Sequence, residues 1–236
     1  MKKLGIIGLG LIGGSMAIDL KRKGFASQVL GVDNDPVNAA AAEKIGLVDR
    51  VVSLEECVDQ SDVIIVAVPV DAAMRLLPAV LDRFEQTGAG DKLVMDVCST
   101  KERLSLSVKY HNRRKMYVAS HPMSGTEYSG PWAALPGLFD GRAGIICDSD
   151  ESDRRAVKVV EELYATLNMR VIYMNSSNHD VHTAYVSHVS HVISFALAQT
   201  VLEANGAESG VVIACDSRNN SDVFARRSAE VLSSYK

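Results

Sequence analysis

The stretch GLGLIGGS, residues 8–15, sets four glycines directly behind the apolar run KKLGII. Glycine weakens strand and helix interiors, so a cluster at such a junction needs a structural reason. Apolar residues then recur at helical spacing through LIGGSMAIDLKRKGF, with Gly24 as a stop signal. Strand, glycine turn and helix, in that order, give the G-x-G-x-x-G spacing of Gly8, Gly10 and Gly13 its physical meaning. The first glycine permits a tight turn. The second lets backbone approach a pyrophosphate, and the third lets helix and strand pack closely. The helix N-terminus adds free N–H groups and a positive dipole end. Leu9, Leu11 and Ile12 fall in the same turn and share its expected cofactor contacts.

Asp33 lies twenty residues beyond Gly13, at the end of the next apolar run, QVLGVD. A carboxylate there can accept a ribose 2′-hydroxyl and would repel a 2′-phosphate. Asn34 and Asp35 supply no cation for a phosphate. The expected cofactor is therefore NAD rather than NADP. A turn holding no ligand, a flavin or another nucleotide is the alternative that the motif alone leaves open. Val68 and Pro69 close the run DVIIVAVPV and either wall the cofactor site or merely end a strand.

Along the chain, apolar runs of strand length alternate with segments of helical spacing. Strands are expected near 3–8, 28–33, 50–52, 62–70, 92–99, 116–122, 142–148 and 169–175. Helices are expected near 36–46, 71–86, 101–109 and 151–167. This alternation predicts an α/β fold, a Rossmann-type doubly wound, mostly parallel sheet with ligands outside the carboxyl ends of its strands. From about residue 178 the texture becomes that of one long apolar helix, and the tail beyond Ala204 loses helical patterning. The chain thus divides into a nucleotide-binding domain over 1–175 and an incomplete helical substrate and dimerisation region over 176–236.

Composition narrows the function classes. In 236 residues the net charge is −4 and the pI near 5.9, without the basic footprint of a nucleic-acid binder. Cys57, Cys98, Cys147 and Cys215 lie far apart with no CxxC pair, so reduced thiols in a cytoplasmic protein are expected rather than disulfides or a zinc site. The glycine-broken N-terminal run leads straight into charge, which argues against a signal peptide. No apolar stretch approaches membrane-spanning length.

Two further segments carry chemistry. DVCSTK ends one expected strand, and its Ser99 and Thr100 suit a helix N-cap. SHPMSGTEYSG ends another, with His121 before a proline, so that its imidazole would project from the carboxyl edge. Imidazole accepts protons near neutral pH, which a dehydrogenase needs when hydride leaves a carbinol carbon.

Together GLGLIGGS, AVPV, DVCSTK, SHPMSGTEYSG and AYVSHVSHVISFAL resemble the prephenate/arogenate dehydrogenases of tyrosine biosynthesis, over roughly residues 3–203. The resemblance implies NAD-dependent oxidative decarboxylation of prephenate to 4-hydroxyphenylpyruvate. His121 matches the family's proton-accepting histidine. Ser99 matches a serine that orients it and the nicotinamide. His191 matches a helix histidine facing substrate, with His188 nearby and the two roles interchangeable on spacing alone. Thr126 and Glu127 match the pocket edge. His179 and His182 are expected as surface residues at the helix start. The apolar helix VSHVISFALAQTVL predicts a homodimer.

The chain departs from the family at its end. The arginine that grips a substrate carboxylate is not recognisable, and Arg218, Arg226 and Arg227 stand in surroundings that do not match. Either the substrate region is shortened, the favoured explanation, or the tail folds differently around its own arginines. Arogenate dehydrogenase and a catalytically weak NAD-binding module remain alternatives. A small-acid dehydrogenase using a helix lysine is disfavoured, since residues 180–203 contain no lysine.

Overall fold

Strands β1 (Lys2–Ile7), β2 (Ala26–Val32), β3 (Arg50–Val51), β4 (Val63–Val66), β5 (Leu93–Asp96), β6 (Tyr117–Pro122), β7 (Ala143–Cys147) and β8 (Arg170–Met174) form one sheet. Its order is β3-β2-β1-β4-β5-β6-β7-β8. The computed structural model describes residues 1–188 apart from 89 and 127, and residue 196; for residues 187 and 188 it describes the backbone alone. One compact unit spans Met1–His179 and a second begins at Asp180.

The helices are α1 (Leu11–Arg22), α2 (Pro36–Lys44), α3 (Leu54–Gln60), α4 (Val70–Gln86), α5 (Glu102–Ser107), α6 (Arg154–Thr166) and α7 (Ser176–Thr183). Alternate residues of the central strands serve opposite layers. Leu4, Ile6, Val63 and Ile65 pack with Met16, Leu20, Val160 and Leu163 of α1 and α6. Ile7, Ile64 and Val66 pack with Leu77, Phe84 and Leu104 of α4 and α5. A parallel sheet covered on both faces needs apolar residues at every strand position, which is why β4 reads VIIV without alternation.

From β3 to β6 every pairing is parallel, as the doubly wound expectation requires. β2 lies on one side of β1 and β4 on the other, so the winding reverses between β1 and β4. That reversal opens a crevice at their carboxyl ends.

The structure adds to the sequence expectations or departs from them at several points. β7 runs antiparallel to β6, because the described residues of 123–142 hold a single 3-10 turn, Pro131–Ala133, and no crossover helix. An antiparallel return needs none. β4 stops at Val66 instead of running to 70. Pro69, with φ −52° and no N–H to give the ladder, stands at the N-cap of α4. Helix α3 was not expected. Ser53 caps it by accepting from the Glu56 backbone N–H at 3.1 Å. The region expected as one long helix begins with α7, capped by the Asn175 side chain accepting from Asn178 N at 2.7 Å. It passes into a π turn at Ala184–His188. The expected apolar helix and tail otherwise lie outside the described residues.

Leu77 is fully buried between α4 and the sheet. Leu77→Ala should cost about 2–5 kcal/mol by lost burial and cavity formation. A urea melt should show a lower midpoint; an unchanged midpoint would mean the α4 face is not packed as described.

Candidate active site at the carboxyl edge of the sheet

The glycine turn fills the crevice beside β1. Gly8 has φ +100°, and a Cβ there would lie 2.3 Å from the Ala67 carbonyl oxygen. A Cβ at Gly13 would lie 2.0 Å from the Gly8 carbonyl oxygen. The fold itself therefore demands both glycines. Gly10 is different: a Cβ there meets nothing nearer than Gly130 N at 3.9 Å. The protein's own packing leaves that space open, as a phosphate-contacting glycine requires.

Gly10 is also the N-cap of α1, with no side chain capping it and no acidic residue in the first turn. The first-turn amides of Leu11, Ile12 and Gly13 have no intrahelical acceptors and suit an anion. Asp33 follows β2. Its Oδ2 accepts from Leu9 N at 2.9 Å and its Oδ1 from Asp35 N at 3.0 Å. These bonds fix the half-buried carboxylate against the glycine turn and leave lone pairs for a ribose hydroxyl. The 123–142 connection is pinned over α1, with Leu135 N donating to Ser15 Oγ at 3.0 Å and Gly137 N to Asp19 Oδ2 at 2.8 Å. A dinucleotide thus fits the residues present.

The second half of the edge is built around Asp96, the last residue of β5 and fully buried. Its Oδ1 accepts from the Tyr117 hydroxyl at 2.7 Å and from Ser120 N at 3.3 Å. Its Oδ2 accepts from Cys98 N at 3.0 Å and forms an ion pair with Lys101 Nζ. Lys101, with 0% of its surface exposed, also donates to the Ser120 carbonyl at 2.8 Å. Ser120 Oγ returns a bond to the Asp96 carbonyl at 2.6 Å. Burial, then the Asp96 charge, pushes the Tyr117 phenol well above its ordinary value, so it stays a donor. Burial likewise raises the Cys98 thiol, with Asp96 adding to it, which makes that cysteine inert.

This network holds the end of β6, from which His121 extends. His121 is 9% exposed, and its Nδ1 lies 2.9 Å from Nε2 of His179 on α7. The expectation that His179 sits on the surface is corrected: it is fully buried. The helix starts at Ser176, directly behind β8, and so carries His179 to the end of β6. His182 is exposed, as expected.

The other expected residues are distributed as follows. Ser99 is exposed just beyond β5, the strand next to β6. It does not cap a helix, since α5 begins at Glu102 with Lys101 at the N-cap position. Val68 and Pro69 follow β4 at the same edge. Thr126 is exposed, its Oγ1 accepting from Tyr128 N at 3.3 Å. Glu127, His191, Arg218, Arg226 and Arg227 lie outside the described residues, as does the His188 side chain.

Sequence reading passed over Asp96 and Lys101, although both flank the quoted serine in DVCSTK. Elsewhere, Asp82, Glu85 and His111 come close enough to suggest a cation. There His111 Nδ1 accepts from Arg113 N at 3.0 Å, which puts the ring proton on Nε2, facing Asp82 at 3.1 Å. That nitrogen has no lone pair to give a metal.

Lys101→Met would leave the Asp96 carboxylate buried without its countercharge. The loss should be about 3–5 kcal/mol, read by chemical denaturation. An unchanged stability would show that the Asp96–Lys101 contact does not support the fold.

The family model "Prephenate dehydrogenase, nucleotide-binding domain" matches residues 16–173, and "Prephenate dehydrogenase, dimerization domain" matches 175–217. Prephenate dehydrogenase of Bacillus subtilis is 31% identical over 198 residues, covering 81% of this chain and 52% of that protein. Its counterpart in Lactococcus lactis is 32% identical over 199 residues, covering 84% and 53%. The chain therefore spans about half the length of these curated relatives. Among solved structures, Aquifex aeolicus prephenate dehydrogenase in complex with hydroxyphenyl propionate and NAD+ shares the fold. Its TM-score is 0.76 at 24% identity, over 99% of this chain and 85% of that one. With a glycine turn and a histidine at one sheet edge and two thirds of its length matched by the nucleotide-binding domain, the chain belongs to the prephenate dehydrogenase family.

Proposed function

We propose that this chain binds NAD at the carboxyl edge and catalyses oxidative decarboxylation of prephenate to 4-hydroxyphenylpyruvate. One observation carries the proposal most directly. His121 is the penultimate residue of β6, on the same edge as the glycine turn, and is held there by the buried Asp96 network. The related fold from Aquifex aeolicus binds NAD+ and a hydroxyphenyl acid, which supports placing both ligands at this edge.

NAD, when bound, supplies the hydride acceptor. The first-turn amides of α1 would hold its pyrophosphate, and Asp33 would accept from its adenosine ribose. His121 takes the proton of the substrate's C4 hydroxyl as hydride leaves C4. The ring carboxylate then departs as carbon dioxide. Its bonding electrons restore aromaticity, and the phenolate oxygen recovers the proton from His121. Charge and atoms balance with no further reactant. By the family resemblance, Ser99 serves to orient His121 and the nicotinamide, Thr126 and Glu127 serve the pocket edge, and His191, with His188, serves substrate binding. Val68 and Pro69 wall the cofactor. The match to a dimerization domain supports a homodimer, and the biosynthetic role supports a cytoplasmic site of action. No helix among the described residues is long and apolar enough to cross a membrane.

His121→Asn should lower kcat by roughly 10²–10⁴-fold, the share a general base supplies. Unchanged NADH production would remove His121 from the chemistry. Asp33→Ala should weaken NAD about 10–100-fold, the worth of a charged hydrogen bond, and narrow the preference over NADP. Calorimetric titration with both cofactors tests this; an undiminished preference would show that Asp33 does not select the cofactor. Assayed side by side, prephenate should turn over faster than arogenate, and the reverse order would reassign the substrate.

A further inference from the structure

We infer that His179 is a second positioning residue of His121, beside Ser99, and the one that fixes its tautomer. The two imidazoles meet edge to face, with centroids 5.1 Å apart and planes at 68°. His121 Nδ1 and His179 Nε2 are 2.9 Å apart. Both residues are buried, His179 completely, so water does not compete for this bond.

A neutral imidazole has one donor and one acceptor nitrogen, so this contact permits two arrangements. If His179 donates, His121 carries its proton on Nε2 and cannot accept another there. If His121 donates from Nδ1, its Nε2 is a base. Only the second arrangement fits the role of His121 as proton acceptor, on which this inference rests. It requires His179 to be neutral, with its own proton on Nδ1. When a proton arrives at Nε2 of His121, the imidazolium keeps its Nδ1–H on the neutral His179. That bond then becomes charge-assisted and stronger, favouring the protonated state that the transfer creates. His179 touches neither substrate nor cofactor in this scheme. It acts through His121.

The direct test is long-range nitrogen-15 NMR of the histidine-labelled chain, at alkaline pH where both rings are neutral. His121 should be protonated on Nδ1. His179→Leu should abolish that fixed tautomer. His179→Gln, whose side-chain amide reaches the position of Nε2, should restore it. A His121 protonated on Nε2, or a tautomer unmoved by His179→Leu, would overturn the inference.

This spectrum needs no turnover, so it decides the pairing even if His121→Asn shows that His121 is not the base. In turnover, His179→Leu should lower kcat about 10–100-fold, part of what the base contributes, and leave KM little changed. His179→Gln should regain most of it. Added to His121→Asn, His179→Leu should cost nothing more. An equal loss in both backgrounds would mean that His179 does not act through His121.

Discussion

The buried pair of Asp96 and Lys101 is the constraint on which the site depends. Two charges without solvent contact persist only when their remaining hydrogen bonds are met. Here the carboxylate accepts from the Cys98 and Ser120 amides and the Tyr117 hydroxyl, and the ammonium also holds the Ser120 carbonyl. Every one of these partners lies on β5, on β6 or in the turn after β5. Meeting the charges therefore fixes how the two strand ends lie against each other. His121 is the next residue after Ser120, and its placement follows from an electrostatic requirement two residues wide. Replacing the pair by apolar residues could fill the volume but would not specify that register.

The nucleotide half of the edge uses a different device. Gly8 and Gly13 are set by backbone carbonyls that a Cβ would strike. They keep β1, α1 and the turn after β4 close together. Gly10 faces open space, so the protein gains nothing for its own fold from a glycine there. The three glycines of one motif thus divide into two that build the crevice and one that keeps it accessible. Asp33 links the two functions, because the carboxylate that would select the cofactor is already held by the Leu9 amide of the same turn.

The fold was legible wherever a local pattern had one structural meaning. VIIV is too apolar for any place but a doubly covered strand, and a glycine cluster between strand and helix has few uses. Local signals that were present could still be missed: Ser53 with Glu56 three residues on is a helix-start pattern, and it does begin α3. The direction of β7 was not legible, because it depends on a connection without a helix rather than on the strand's own residues. His179 was hidden for a deeper reason. Its partner lies 58 residues away, and a histidine near a helix start looks the same whether the turn faces solvent or the sheet. Lys101 was hidden likewise, since lysine is an ordinary surface residue until an acidic partner takes it inside.

The central claim is that one sheet edge brings the cofactor and His121 together. A crystal structure of the chain soaked with NAD tests it most directly. The account predicts the pyrophosphate on the first-turn amides of α1, the adenosine ribose on Asp33 and the nicotinamide ring at the end of β6 beside His121. A nicotinamide directed away from β6, or a cofactor bound elsewhere on the chain, would contradict it.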